Sequence, residues 1–223
     1  MNKLKLILFD VNETLLDLSP MEQRMNQAFE NENAFKLWFY LMLQYAWVEN
    51  SIGTYSNLGE VGKATMSMLN KQLGKSVTEQ KQQELLRMIR SLKPHPDVKP
   101  ALAQLKEAGF RLVSFTNSAQ QVAEEQMRNA GLDEYLEEIM SVDLVQKYKP
   151  APETYLKAIN HLNASPEETL FIAAHGWDVA GAANAGLQTG FIDRPGQALY
   201  PLAPTPTYQG KTLLELASQL TTL

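Results

Sequence analysis

Four stretches of the chain place chemically capable side chains at the ends of apolar runs. Residues 4–9 are apolar apart from Lys5 and stop at Asp10, as a strand buried on both faces and ending at a carboxylate would read. Residues 110–115 lead into Thr116-Asn117-Ser118, a later loop carries Lys147-Tyr148-Lys149-Pro150, and residues 169–174 run into His175-Gly176-Trp177-Asp178. In a parallel sheet such carboxyl ends share one edge, so two acids, hydroxyls, an amide and an ammonium can meet in one crevice. A carboxylate is a weak nucleophile unless a cation and a dry cleft assist it, and Lys147 and Lys149 are the available cations. Thr116 and Asn117 can hold a carboxylate or phosphate without adding charge. Asn117 or Ser118 also suits a cap on a helix beginning near residue 119, itself an anion site. Asp10 and Asp178 have an equally simple reading as caps of the segments that follow them. His175 is a lone histidine, more often a structural residue than a base, and Trp177 reads as a pocket wall.

The elements that must position these groups follow from periodicity. After residue 17 the pattern is helical for a long interval, at 21–30, 34–50, 57–73 and 78–92, divided by turn formers such as Ser51-Ile52-Gly53 and Gly74-Lys75-Ser76. Four helices without a strand do not build a parallel sheet, so they read as an inserted helical cap, residues 18–93, with Pro94-His95-Pro96 as the return hinge. The aromatic residues Phe35, Trp38, Phe39, Tyr45 and Trp47 sit at spacings that suit packing against a core. Beyond the hinge, helices at 98–107, 119–129, 152–162 and 179–185 alternate with strands at 110–115, 138–142, 169–174 and 189–192. A proline-rich tail at 195–208 reads as a loop before a closing helix at 212–220. The expectation is an α/β protein: a Rossmann-like, doubly wound parallel core of residues 1–17 and 94–223 with the helical cap inserted after its first strand.

Composition narrows the function. The 223 residues carry a formal charge of −5, which gives no footprint for nucleic acid or a membrane surface. No cysteine is present, which removes disulfides, thiolate metal sites and a cysteine nucleophile together. The run after Lys3 is too short for a signal peptide, and residues 37–48 are too short for a span. The expectation is a cytoplasmic protein acting on a small molecule, with no nucleic-acid or membrane partner.

The ordered set Phe9-Asp10-Val11-Asn12-Glu13-Thr14-Leu15-Leu16-Asp17, Ser114-Phe115-Thr116-Asn117-Ser118, Tyr148-Lys149-Pro150 and Ala174-His175-Gly176-Trp177-Asp178-Val179-Ala180-Gly181-Ala182 resembles the haloacid dehalogenase superfamily. It is most similar to the type II L-2-haloacid dehalogenase branch, over essentially the whole chain. The resemblance implies that Asp10 forms a covalent ester with substrate, that Lys149, which directly precedes Pro150 as in the family motif, supplies the cation, and that Asp178 orients or activates the water that opens the ester. It implies a pocket contacted by Asn12, Thr14, Thr116, Asn117, His175 and Trp177, and it admits a homodimer.

The type of reaction turns on departures from the superfamily pattern. Phosphatase members carry an acid two residues after the nucleophile, where this chain has Asn12, which cannot shuttle a proton. They also pair acids in the last motif to hold magnesium, where this chain has Asp178 alone; on that alternative reading Asp10 and Asp178 would be the Mg²⁺ ligands. Attack on a carbon–halogen bond needs neither feature, so a cofactor-independent hydrolase of small 2-haloalkanoic acids ranks first. A phosphatase and a non-catalytic binding protein are the alternatives. Type II enzymes place a halide-binding arginine on an early cap helix. Phe39 stands at that position here, with Arg24 the nearest upstream arginine.

Overall fold

The computed structural model describes residues 4–222; the outermost ends of the core segments, 1–3 and 223, and with them Lys3, lie outside that range. Strand β1 (Leu6–Phe9) has no exposed residue. It is paired in parallel on both sides, by β2 (Arg111–Thr116) and by β4 (Thr169–Ala173), with Ile7 opposite Leu112 and Leu170. A strand enclosed by neighbours and helices needs no polar alternation, which is why four apolar residues in a row form it. Strand β3 (Glu138–Ser141) lies outside β2, while β5 (Gln188–Ile192) and then β6 (Tyr208–Gly210) extend the other side. The order β3-β2-β1-β4-β5-β6 is parallel throughout. This is the doubly wound α/β sheet that the alternation predicts. Its strand order reverses beside β1, so Asp10 stands at the crevice where such sheets bind ligands.

Helices α1 (Ser19–Ala28), α2 (Ala34–Ile52), α3 (Leu58–Gln72) and α4 (Glu79–Arg87) occupy the interval after β1. Asn57 caps α3 through a capping box with Glu60, and Gly53 ends α2 in the left-handed conformation, two local signals that fix where this hairpin turns. The segments entering and leaving the interval are tied together: the Asp17 amide donates to Lys93 O at 2.9 Å and the His95 amide to Leu15 O at 3.0 Å. Helices α5 (Val98–Glu107), α6 (Gln120–Ala130), α7 (Pro152–His161), α8 (Gly176–Asn184) and α9 (Leu213–Thr221) belong to the sheet-bearing part. Among the described residues, no helix is long and apolar enough to cross a membrane.

Three elements differ from the sequence expectation. The fourth insert helix ends at Arg87 and continues as a 3-10 turn, Met88–Ser91. The tail contains the short edge strand β6, whose polar Tyr-Gln-Gly sequence carries no strand signature. Helix α8 starts at Gly176 rather than 179, because the His175 carbonyl accepts from the Asp178 and Val179 amides at 3.1 Å each. Asp178 therefore lies inside the first turn.

Helix α8 also passes close to the loop bearing Lys149. A Cβ added to Gly181 would lie 2.4 Å from Pro150 Cβ and 2.7 Å from Tyr155 Oη. Gly181→Ala is expected to destabilise the fold by about 1–3 kcal/mol through overpacking, read as a lower urea midpoint; an unchanged midpoint would show that the two segments separate freely.

Candidate active site

The centre of the site is one ammonium between two acids. Lys149 Nζ donates to Asp10 Oδ1 at 2.9 Å, to Asp178 Oδ2 at 2.6 Å and to the Phe115 carbonyl at 3.0 Å, which uses all three of its protons. Lys149 and Asp178 have no exposed surface and Asp10 is 5% exposed. Burial disfavours the lysine's charge, but Asp10 and Asp178 more than restore it and hold its pKa above the ordinary value.

The two acids are driven apart. Burial alone would raise the Asp10 pKa, yet the Lys149 charge, with hydrogen bonds from His175 and Thr14, holds this carboxyl below the usual range. Burial, reinforced by the negative Asp10, pushes Asp178 up to about 6 despite Lys149 and a hydrogen bond from Tyr155. Two carboxylates sharing a site and separated in this way divide naturally into an ionised group and a titrating one.

Asp10 Oδ2 is held from the other side. Thr14 Oγ donates to it at 2.7 Å and itself accepts the Ala174 amide at 3.0 Å. His175 Nδ1 lies 3.2 Å from the same oxygen, and its Nε2 lies 2.7 Å from Glu13 Oε2. With a carboxylate at each nitrogen both nitrogens donate. Burial opposes the charged ring, but the hydrogen bonds it donates to Asp10 and Glu13, with their negative charges, raise its pKa to about 10. The imidazolium is stacked between Phe39, at 5.9 Å and 21°, and Trp177, at 5.3 Å and 27° between ring centroids and planes.

Asp10, Asn12, Thr116, Asn117, His175 and Trp177 line a cavity of about 330 Å³, which Phe39 and Trp38 of α2 roof. Thr14, Lys149 and Asp178 do not line it; they stand behind Asp10. Asn12 is engaged through its amide with Ser118 Oγ at 3.2 Å and accepts from Gln126 at 2.9 Å. Asp10 and Asp178, the pair the phosphatase reading assigns to magnesium, have Lys149 Nζ between them and Tyr155 on the second Asp178 oxygen, so they do not offer a divalent ion the free carboxylate oxygens it takes. Arg24 is exposed on α1 and does not reach the cavity.

A family model described as haloacid dehalogenase-like hydrolase matches residues 4–186. The chain belongs to this family. The haloacid dehalogenase-like hydrolase is similar to haloacetate dehalogenase H-2 of Moraxella sp. (strain B), at 29% identity over 93% of this chain and 94% of that one. It is also similar to the (S)-2-haloacid dehalogenase of Pseudomonas sp. (strain YL), at 27% identity over 96% and 93%. A crystal structure of an L-2-haloacid dehalogenase superimposes with a TM-score of 0.93 at 26% identity, covering 98% of this chain and 99% of that one.

Several contacts of the hydrolase's site are invisible in sequence. Glu13, in the left-handed conformation with φ 60°, reaches His175, and Tyr155 of α7 reaches Asp178. From α2, Trp47 Nε1 donates to the Lys149 carbonyl at 3.1 Å, and Asn50 both donates to the Tyr148 carbonyl and accepts its amide at 2.9 Å. Of the aromatic residues on α2, Phe35 and Trp38 are buried as packing requires, whereas Tyr45 is exposed.

Removing the central ammonium tests this electrostatic balance. Lys149→Met leaves the buried Asp178 without a cation and Asp10 with His175 alone, and is expected to cost about 3–5 kcal/mol near neutral pH. The folded-state pKa of Asp178 then lies above the unfolded one, so the unfolded state binds fewer protons and stability falls as pH rises. Denaturant unfolding of the variant at acid and neutral pH is expected to show a smaller deficit in acid; equal deficits would remove the electrostatic account.

Proposed function

We propose that this hydrolase cleaves carbon–halogen bonds of small 2-haloalkanoic acids through a covalent ester on Asp10. The observation that carries the reading is the asymmetry of that carboxylate. Oδ2 accepts from both Thr14 and His175, leaving Oδ1, beside Lys149, as the oxygen with a lone pair for the cavity. Oδ1 attacks C2 of the acid and the halide departs with the bonding pair. Water then adds to Asp10 Cγ, giving its proton to Asp178, while the negative charge that develops on Oδ2 meets Thr14 and the His175 imidazolium. Cleavage of the Cγ–Oδ1 bond releases the 2-hydroxy acid, its oxygen taking a proton from Lys149, which regains one from the new Asp10 carboxyl group while Asp178 gives its proton up to water. The product hydroxyl thus carries the former Oδ1, and water restores the carboxylate.

The substrate carboxylate is assigned to Thr116, Asn117 and the N-terminus of α6, where amides and hydroxyls bind an anion without a competing charge. Asn12, held by Ser118 and Gln126 and unable to give up a proton, suits a halide leaving group and not a phosphate-ester oxygen. The names of the relatives agree with this choice. Residues 18–93 act as the cap over a core of 1–17 and 94–223, and the absence of cysteine suits a cytoplasmic setting.

Halide release from L-2-chloropropionate, measured with chelator and beside magnesium-supplemented phosphate release from a generic ester, tests the assignment. Halide release indifferent to chelator is expected; magnesium-dependent phosphate release without halide would replace it. Asp10→Asn is expected to lose roughly 10³-fold or more in kcat. Asp178→Asn is expected to release about one equivalent of halide and then stall with the ester visible by mass spectrometry.

The pH profile has a defined sign. Asp178 must be ionised to accept the water proton and His175 must be protonated to meet the oxyanion; the ester removes the Asp10 charge that raises both groups, so kcat is expected to rise through a limb below about 6 and to fall through one below about 10. Persistence of the acid limb in Asp178→Asn would assign it to another group.

A further inference from the structure

The cavity is larger than the reaction requires. At about 30 Å³ per water molecule in the liquid, its 330 Å³ correspond to roughly eleven waters. A three-carbon haloacid seated on Asp10 fills only about half of that space. The remainder is walled mainly by apolar side chains, Met21 of α1, Met42 of α2, Leu58 of α3, Leu86 of α4, Ile89 and, from the core, Val122 of α6, with Lys63, Gln83, Arg87 and Arg90 the polar groups among them. Met21, Met42 and Leu58 are buried, so these walls are interior surface. The polar groups that engage the reaction stand at the other end, at Asp10, Asn117 and His175. Phe39 continues the apolar surface at the position where the family pattern has a charged arginine.

We infer that the preferred substrates are 2-haloalkanoic acids whose C2 carries an apolar substituent of about five carbons, lying between α3, α4 and α6 while the carboxylate and C2 remain at Asp10. This rests on the dehalogenase reading and specifies its substrate. Each methylene moved from water into such a cavity gains a factor of about four in binding. A chain of about five carbons accounts for the unfilled volume, and a much longer one exceeds it.

The test is kcat/KM for halide release along a series from 2-bromopropionate through 2-bromoheptanoate to 2-bromododecanoate. A rise of about threefold per methylene up to the heptanoate, then a plateau or fall, is expected; a flat or steadily declining series overturns the inference. Leu86→Trp and Ile89→Trp narrow the cavity at half-buried positions outside the carboxylate site. Each is expected to lower kcat/KM for 2-bromoheptanoate about tenfold or more and leave that for 2-bromopropionate within about twofold; equal losses on both overturn the inference. Calorimetric binding of unreactive heptanoate and propionate separates this proposal from the reaction assignment. Heptanoate binding at least about tenfold tighter supports the cavity's role whether or not halide is released. Equal affinities overturn it even in an active dehalogenase.

Discussion

The site depends on a single desolvated cation. Lys149 has no access to water, so its charge is tolerated only because three acceptors surround it, two of them carboxylates. The same geometry forces the acids to differ. One ammonium cannot fully compensate two neighbouring anions, so the acid that also has His175 and Thr14 stays ionised while the more enclosed one rises toward neutrality. An ionised acid and a titrating one are thus produced from identical side chains by environment alone.

The cap's contribution near Asp10 is aromatic. Phe39 lies face to face with an imidazolium that is already committed to Asp10 and Glu13. A guanidinium at position 39 would confront that charge at close range in a low-dielectric cleft, so the phenyl ring and the charged histidine are mutually consistent. The positive charge at this side of the cleft comes from the core, through the residue that precedes α8. The cap supplies aromatic surface here, its own lining cations being Lys63, Arg87 and Arg90.

The order of strands and the residues at their ends were legible because a central parallel strand is apolar throughout and its termination in a polar residue is abrupt. Asp10 and Asp178 could be found this way, and Lys149 through the Tyr148-Lys149-Pro150 motif that the family resemblance carries; the structure gathers them around one nitrogen. Partners that act through tertiary proximity could not. Asn50 and Tyr148 are 98 residues apart, and nothing in the periodicity of α2 distinguishes Asn50 from a solvated polar residue. Thr14 reads as a pocket residue in the motif, and only the folded chain places it behind Asp10, between a carboxylate and the Ala174 amide. The early start of α8 was hidden by Gly176, a poor helix former, yet a Cβ there would lie 2.2 Å from the Ala198 carbonyl, so the close approach of the tail demands glycine at that point. The short strand β6 was hidden by its polar composition.

The hydrogen bonds from Trp47 and Asn50 make α2 part of the loop that carries Lys149. The helix roofing the cavity and the backbone holding the buried cation are therefore one mechanical body, and free energy is exchanged between them in both directions. Whatever shifts α2 also shifts the backbone that carries the lysine, and the reverse holds equally. Occupancy of the cleft and readiness of the charge at its floor are in this sense one thermodynamic variable.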